Sequence, residues 1–368
     1  MTASTTVSRP SVSRALVSAE GTPGRILVCR LDSMGDVLLA AGAVRAVARE
    51  AEVTLLVGPA GRAAAELLPG VRDLIEFDAP WVPLEPGPVR PDDVDRLVAT
   101  VAEFRFDAAF IMTSFHQSPL PLALLLRLAG VPWIGAASID YPGSLLDLRH
   151  RPDSGLHEAE RNVSLVAAAG FSADERGAVG ALRQPLPDVA SWTGDQPYVV
   201  LHPGAAVSAR RPSADRAAEL AKALRRDGRR VLVTGGRQET ALTAHVAVAG
   251  AEDLGGRLDL AELAAVLAGA EVAVVPNTGP AHLAAAVGTP VVSLFAPVVP
   301  SAQWAPYGVP VIVLGDQQAP CRDSRSRNCP VAGHPCLDAI RPGDVVEAVS
   351  ILAGATGPAT AIPIGGRL

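Results

Sequence analysis

Short apolar runs punctuate this chain, and between them apolar positions return every third or fourth residue. The runs are rich in Val, Ile and Leu and read as buried strands, while the stretches between have the period of one-sided helices. In the first cycle, residues 25–30 (RILVCR) form a strand and 32–35 a turn. From 36 to 48, Val37, Leu38, Ala41, Val44 and Val47 mark one helical face. A second cycle repeats the plan with strand 198–202, loop 203–211 and helix 213–225, for which Ser213 is the expected N-cap. Further strands are expected at 53–57, 74–77 and 108–112, and again at 230–234, 272–275, 291–294 and 309–314.

Mostly apolar strands alternating with helices predict parallel sheets covered on both faces. The expected fold is therefore α/β, with two Rossmann-like domains facing across a cleft. A length of 368 residues fits two domains of ordinary size. The expected division is a frayed polar tail at 1–23, a first domain at 24–185 and a second at 195–341. A Pro-, Asp- and Gly-rich seam at 182–196 joins them. A C-terminal helix at 342–354 and a Gly/Pro/Ala-rich tail at 355–368 complete the chain. In open α/β sheets ligands bind beyond the carboxyl ends of the strands, so the loops there are where chemistry is sought.

Charge narrows the field. A formal net charge of −6 argues against a nucleic-acid binder, which carries a basic excess. Lys222 is the only lysine, so an anion site must use arginine, backbone N–H groups or hydroxyls, and a P-loop is excluded. Four cysteines are too few for a disulfide scaffold. Neither a signal peptide nor a membrane span is legible, and a cytoplasmic enzyme is expected, with peripheral contact at the inner face of a membrane left open.

Five segments carry candidate chemistry. The first is R-L-D-S-M-G-D at 30–36, where a strand gives way to a helix. Gly35 permits a tight turn, and Asp36 stands at the helix mouth. From position alone Asp36 reads as a helix cap. The second is V-V-P-N-T-G-P-A-H at 274–282. Thr278 and Gly279 offer a hydroxyl and an open N–H at a helix N-terminus, which suits a diphosphate. His282, one turn in, is either a phosphate donor or a structural histidine.

The third segment, H-P-G-A-A-V-S-A-R-R at 202–211, sets Gly204 and Ser208 ahead of Arg210 and Arg211. One of the two arginines is expected to face a diphosphate and the other solvent. In the fourth, V-L-V-T-G-G-R-Q-E at 231–239, Gly235 and Gly236 bring backbone close to a ligand, and Glu239 is a ribose binder or a first-turn carboxylate. The fifth is Cys321, Cys329 and Cys336 with His334 between; lacking a C-x-x-C pair, it reads as reduced thiols rather than a zinc site. On the other side of the cleft, His116 and Gln117 follow a strand end and are candidate acceptor contacts.

In order and spacing, these segments resemble the family 9 glycosyltransferases, the ADP-heptose:lipopolysaccharide heptosyltransferases. The pieces are R-I-L-V-C-R-L-D-S-M-G-D-V-L-L, V-V-L-H-P-G-A, V-T-G-G-x-x-E, D-L-G-G-R-L-D-L-A-E-L, N-T-G-P-A-H-L-A-A-A-V-G-T-P-V-V-S-L-F and W-A-P-Y-G, between about 25 and 352. The resemblance implies a GT-B architecture with the C-terminal helix crossing back. It implies an acceptor in the first domain and a nucleotide sugar, ADP-heptose, in the second. Asp36 matches the family's catalytic carboxylate, and the chemistry implied is inverting, without metal or cofactor. Donor contacts would come from Gly204, Ser208, Arg210, Gly235, Gly236, Glu239, Leu258, Asn277, Thr278, Gly279 and His282. Ser33, Met34, Gly35, His116 and Gln117 would face the acceptor, a glycan or small molecule.

Two positions depart from the family pattern. Asn277 stands where the family carries a carboxylate, and Arg210-Arg211-Pro212 replaces a lysine followed by Arg-Trp-Pro. These leave open a hexosyltransferase, another nucleotide-sugar enzyme such as an epimerase, or a non-catalytic binding protein. A dehydrogenase lacks its glycine fingerprint here.

Overall fold

The computed structural model describes residues 24–354 apart from 84, 115, 175 and 249. The expected tails at 1–23 and 355–368 lie outside the described residues.

The first half is built from strands β1 (Arg25–Arg30), β2 (Glu52–Val57), β3 (Val71–Glu76), β4 (Ala108–Ile111), β5 (Ile134–Ala137) and β6 (Leu148–His150). Its helices are α1 (Met34–Leu39), α2 (Ala41–Ala48), α3 (Arg62–Glu66), α4 (Pro91–Phe104), α5 (Leu120–Leu128) and α6 (Glu158–Ala168). A short α7 (Ala190–Thr193) lies in the seam. The second half has β7 (Val199–Leu201), β8 (Val231–Val233), β9 (Glu252–Asp253), β10 (Val272–Pro276), β11 (Val291–Leu294) and β12 (Val311–Leu314). With them run α8 (Ala214–Arg226), α9 (Thr240–Ala247), α10 (Leu260–Ala268), α11 (Gly279–Ala286), α12 (Ser301–Trp304), α13 (Pro335–Asp338) and α14 (Pro342–Ala353).

Both sheets are parallel, in the orders β3-β2-β1-β4-β5-β6 and β12-β11-β10-β7-β8-β9. Each is a doubly wound sheet whose strand order reverses once. The reversal falls between β1 and β4 in the first sheet, which pair from Ile26↔Ala108 to Cys29↔Ile111. In the second it falls between β7 and β10, paired from Val272↔Val199 to Val274↔Leu201. The loops leaving these four strands carry R-L-D-S-M-G-D, His116 and Gln117, H-P-G-A-A-V-S-A-R-R and N-T-G-P-A-H. Topology alone therefore brings nearly every candidate to the switch points.

Three expectations change. The single helix over 36–48 is two helices, α1 and α2, meeting at Ala40. There the carbonyl of Leu39 accepts from Asn162 Nδ2 at 3.2 Å, so a side chain takes a bond the helical ladder would otherwise make. Strands β5, β6 and β9 were not legible, being short and poor in contiguous Val, Ile or Leu. The C-terminal helix, expected to cross back, instead buries Val345, Ala348, Val349 and Leu352 in the core of the second half. This apolar stripe matches the face of α8 and β10–β12 that it covers.

Candidate active site

Arg30 ends β1, and its side chain is fully buried. Three carboxylates surround it. Nε lies 2.9 Å from Asp32, Nη2 2.9 Å from Asp36 and Nη1 2.7 Å from Glu158. Nη2 also donates to Ser114 Oγ at 3.0 Å. A buried charge persists only when paired, and here one forked cation serves anions from β1's exit, α1 and α6. The carboxylates in turn hold Arg30 strongly protonated: burial alone would lower its pKa, but their charges outweigh it.

Asp36 is not the cap of α1. Ser33 occupies that position, and Asp36 sits in the first turn behind it. The backbone N–H and hydroxyl of Ser33 both donate to Asp36 Oδ2, at 3.2 and 2.7 Å. Burial by itself would raise the Asp36 carboxyl, but Arg30, Ser33 and His282 together hold it below the ordinary carboxylate range. Asp36 is thus a fixed anion, 16% exposed, at the edge of the cleft. Asp32 goes the other way: burial raises it, and Arg30 offsets this only in part. Gln117 ties Asp32 in place by donating from Nε2, while its Oε1 accepts from Ser114 N at 3.2 Å.

Opposite stands the N-terminus of α11. Thr278 is its N-cap residue, yet no side chain caps the helix and no acidic residue occupies its first turn. Its positive end is left open, unlike that of α1. The two helix starts meet: a Cβ on Gly35 would stand 3.0 Å from His282 Cδ2 and 3.3 Å from Gly279 Cα. His282 Nδ1 is buried without a hydrogen-bond partner. Burial and the charges of His157 and Arg210 push its pKa down to about 4, so the ring is neutral near pH 7.

Arg210 completes this group. It follows β7, and its pKa is lowered by burial and raised by the charge of nearby Asp36. It forms no ion pair among the described residues, and its Nε is buried without a partner. Half-buried and charged, it has the Asp36 carboxylate nearby but no ion-pair partner among the described residues.

Other candidates fall differently. The Glu239 carboxylate accepts from Gly236 N at 2.8 Å and presses on Gly204, where a Cβ would lie 2.0 Å from its Oε1. A side chain at Gly204 would therefore displace the Glu239 carboxylate from its present position. His202, 3.8 Å from Glu239, is buried and hydrogen-bonds Thr234 Oγ1 at 3.1 Å.

Ser208 does not face the cleft's anion group; its hydroxyl lies 3.0 Å from the Arg327 carbonyl and 2.7 Å from Asn328 Oδ1. Asn277 spends its amide on the backbone of Ala296, donating at 3.5 Å and accepting at 3.3 Å, so it braces the exit of β11. Leu258 packs against the main apolar core beside the α10 cap, Asp259. The four cysteines are free, and His334 Nε2 bonds the Ala209 carbonyl at 3.1 Å. Among the described residues no three His, Cys, Asp or Glu form a metal-holding group.

Sequence reading missed the residues that tie the halves. His157 Nε2 meets the Ala305 carbonyl at 2.8 Å, and its ring lies 4.7 Å from that of Tyr307. Tyr307 donates to Glu160 at 2.9 Å. The only sequence trace was the H-x-x-E spacing of a capping box at 157–160. W-A-P-Y-G is the other partner of this contact.

A family model for glycosyltransferase family 9 (heptosyltransferase) matches residues 94–333, more than half of the chain. This chain belongs to glycosyltransferase family 9. As a family 9 member it is a glycosyltransferase, and its architecture is GT-B. Solved structures with the same fold include Escherichia coli ADP-heptose lipopolysaccharide heptosyltransferase II, at 21% identity and TM-score 0.66 over 89% of this chain and 98% of that one. A family 9 glycosyltransferase from Veillonella parvula is 18% identical, with TM-score 0.72 over 93% and 99%. Escherichia coli heptosyltransferase WaaC with ADP is 19% identical, with TM-score 0.67 over 89% and 99%. No curated protein matches the sequence. Among the described residues of this family 9 chain, no helix is long and apolar enough to cross a membrane.

Proposed function

We propose that this glycosyltransferase moves a heptose or related sugar from an ADP-linked donor to a hydroxyl of a glycan or small-molecule acceptor. The reaction inverts the anomeric carbon and needs no metal. Asp36 is the base. It takes the proton of the acceptor hydroxyl as that oxygen bonds the anomeric carbon. The bond from that carbon to the diphosphate breaks on the opposite face, and its electron pair leaves with ADP. Arg30 and Ser33 keep Asp36 ionised and aimed.

Negative charge develops on the diphosphate as it leaves, and preorganised donors aimed there lower the barrier. The open N-terminus of α11, the Thr278 hydroxyl, Gly279 N–H, His282 and Arg210 are the groups available. Gly235, Gly236 and Glu239, at the end of β8, are the groups we assign to the ribose of the nucleotide. The observation that carries this reading is Arg210: a half-buried guanidinium whose Nε is buried without a partner, with no ion pair among the described residues, near Asp36 and an uncapped helix start. ADP bound by structural neighbours such as WaaC supports the choice of nucleotide.

The test is calorimetric titration with ADP, followed by assay of ADP release from ADP-heptose with and without a chelator. ADP binding that weakens about 10- to 100-fold in Arg210→Ala, the range of a charge-assisted hydrogen bond, is expected. ADP release is expected to survive chelation. Absence of ADP binding rejects the donor assignment, and loss of release in chelator rejects metal independence.

A further inference from the structure

Beside Asp36, at the carboxyl ends of β1 and β4, lies a cavity of about 450 Å³. That volume is within the range of small-ligand sites. The walls come from Leu31, Trp81, Val82, Met112, Pro121 and Leu122, with three further prolines at the rim. Among the described residues no charged side chain lines it. Its polar edge is Thr113, His116, Gln117 and Ser118. Burial and the charge of Arg325 lower the pKa of His116, which favours an uncharged ring.

The polar edge is wired to the base. Gln117 donates to Asp32, Asp32 pairs with Arg30 at 2.9 Å, and Arg30 pairs with Asp36 at 2.9 Å. His116, on the same edge, feels the charges of both Asp32 and Asp36, so a molecule that presents a hydroxyl to Asp36 has this chamber close by. The lining decides what can fill it. An anionic glycan would meet no cationic side chain among the described lining residues; Arg325 and Arg30 act on His116 from outside that lining. A bare sugar would leave most of its hydroxyls facing Leu, Val and Pro. Trp81 and the prolines offer rigid, flat apolar walls, which suit a ring more than a flexible chain.

We infer that the acceptor of this enzyme carries a compact, uncharged apolar ring next to its accepting hydroxyl, and that the ring occupies this chamber. The inference rests on the assignment of Asp36 as the base that faces the acceptor. It names the acceptor class that this assignment leaves open.

The experiment uses the full chain and three probes of one sugar: phenyl, octyl and methyl β-D-glucopyranoside. Ligand-observed saturation-transfer NMR reads binding, and calorimetry with ADP is run in parallel. Phenyl glucoside is expected to bind at least tenfold more tightly than methyl glucoside, with saturation concentrated on the aryl protons. Trp81→Ala and Val82→Asp, both at half-buried loop positions, are each expected to weaken phenyl glucoside at least tenfold. Each should leave the ADP affinity within twofold. Equal binding of phenyl and methyl glucoside, tighter binding of octyl than phenyl, or unchanged phenyl binding in both variants overturns the inference. If wild-type enzyme fails to bind ADP, the transferase reading fails as well, and a phenyl preference would no longer describe an acceptor site. If ADP binds and the phenyl preference is absent, the chamber assignment alone falls.

Discussion

Gly35 from the first half of the chain and Gly279 from the second meet almost backbone to backbone: a Cβ on Gly35 would lie 3.3 Å from Gly279 Cα. The contact sets the distance between the helix that carries Asp36 and the helix start proposed to hold the diphosphate.

Gly35→Ala tests that spacing. The added methyl would also stand 3.0 Å from His282, so both neighbours must yield by a few tenths of an ångström. Overpacking of this kind costs roughly 1–3 kcal/mol. Denaturant unfolding should report that loss, and kcat/KM should fall more steeply than stability explains. Wild-type values for both would show that the halves are not held at this point.

Asp36→Asn keeps the side chain's shape and removes its basicity. Turnover should drop by roughly 10²–10⁴, the range of general-base catalysis, while calorimetry returns an unchanged ADP affinity. Near-normal turnover would return Asp36 to a purely structural role. In the wild type, the Asp36 carboxyl is held below the ordinary carboxylate value, so if it is the base the acid limb of kcat/KM should lie below that of an ordinary carboxylate.

Arg30→Met should be severe, because it strands the buried carboxylates of Asp32 and Glu158 and the half-buried one of Asp36. Removing one partner of a buried ion pair costs about 3–5 kcal/mol. The deficit should shrink as pH falls through the carboxylate range, since protonation then relieves the unpaired charges. Arg30→Lys should rescue little, as a point charge cannot reproduce the fork that reaches Asp36, Glu158 and Ser114 together. A fully stable Arg30→Lys protein would contradict this.

His202 makes stability pH-dependent. Its folded pKa is pushed down to about 4 from the ordinary 6.5, chiefly by burial, with Glu239 opposing. The unfolded chain therefore binds the proton more readily between these values. Stability is full above pH 6.5 and is lost as pH falls toward 4. The loss amounts to about 3 kcal/mol at roughly 1.4 kcal/mol per pH unit. Unfolding curves of His202→Asn should be flatter across that window than those of the wild type.

The sheets were largely legible because a parallel strand buried on both faces must be apolar along its whole length. Val291–Leu294 and Arg25–Arg30 fall on the expected residues for that reason. The short edge strand Glu252–Asp253 carries no such signature. Asp36, Arg210 and His282 could be singled out because each stands shortly after the end of a central strand. What sequence did not disclose was partnership. Glu158 and Asn162 reach Arg30 across more than a hundred residues, and Ser208 and Asn277 turn to nearby backbone instead of the cleft. Such choices depend on where a second segment passes, and no local spacing records that.

The uncapped start of α11 has one more consequence. If the diphosphate sits there as proposed, a seat left vacant by the protein's own side chains would hold it whether or not a sugar is still attached. On the proposed reaction, ADP would then remain in the place that suits it best after transfer, and its departure is expected to be a slow step of the cycle. Added ADP should then compete with the donor, and the pace of the enzyme would follow how quickly the spent nucleotide lets go.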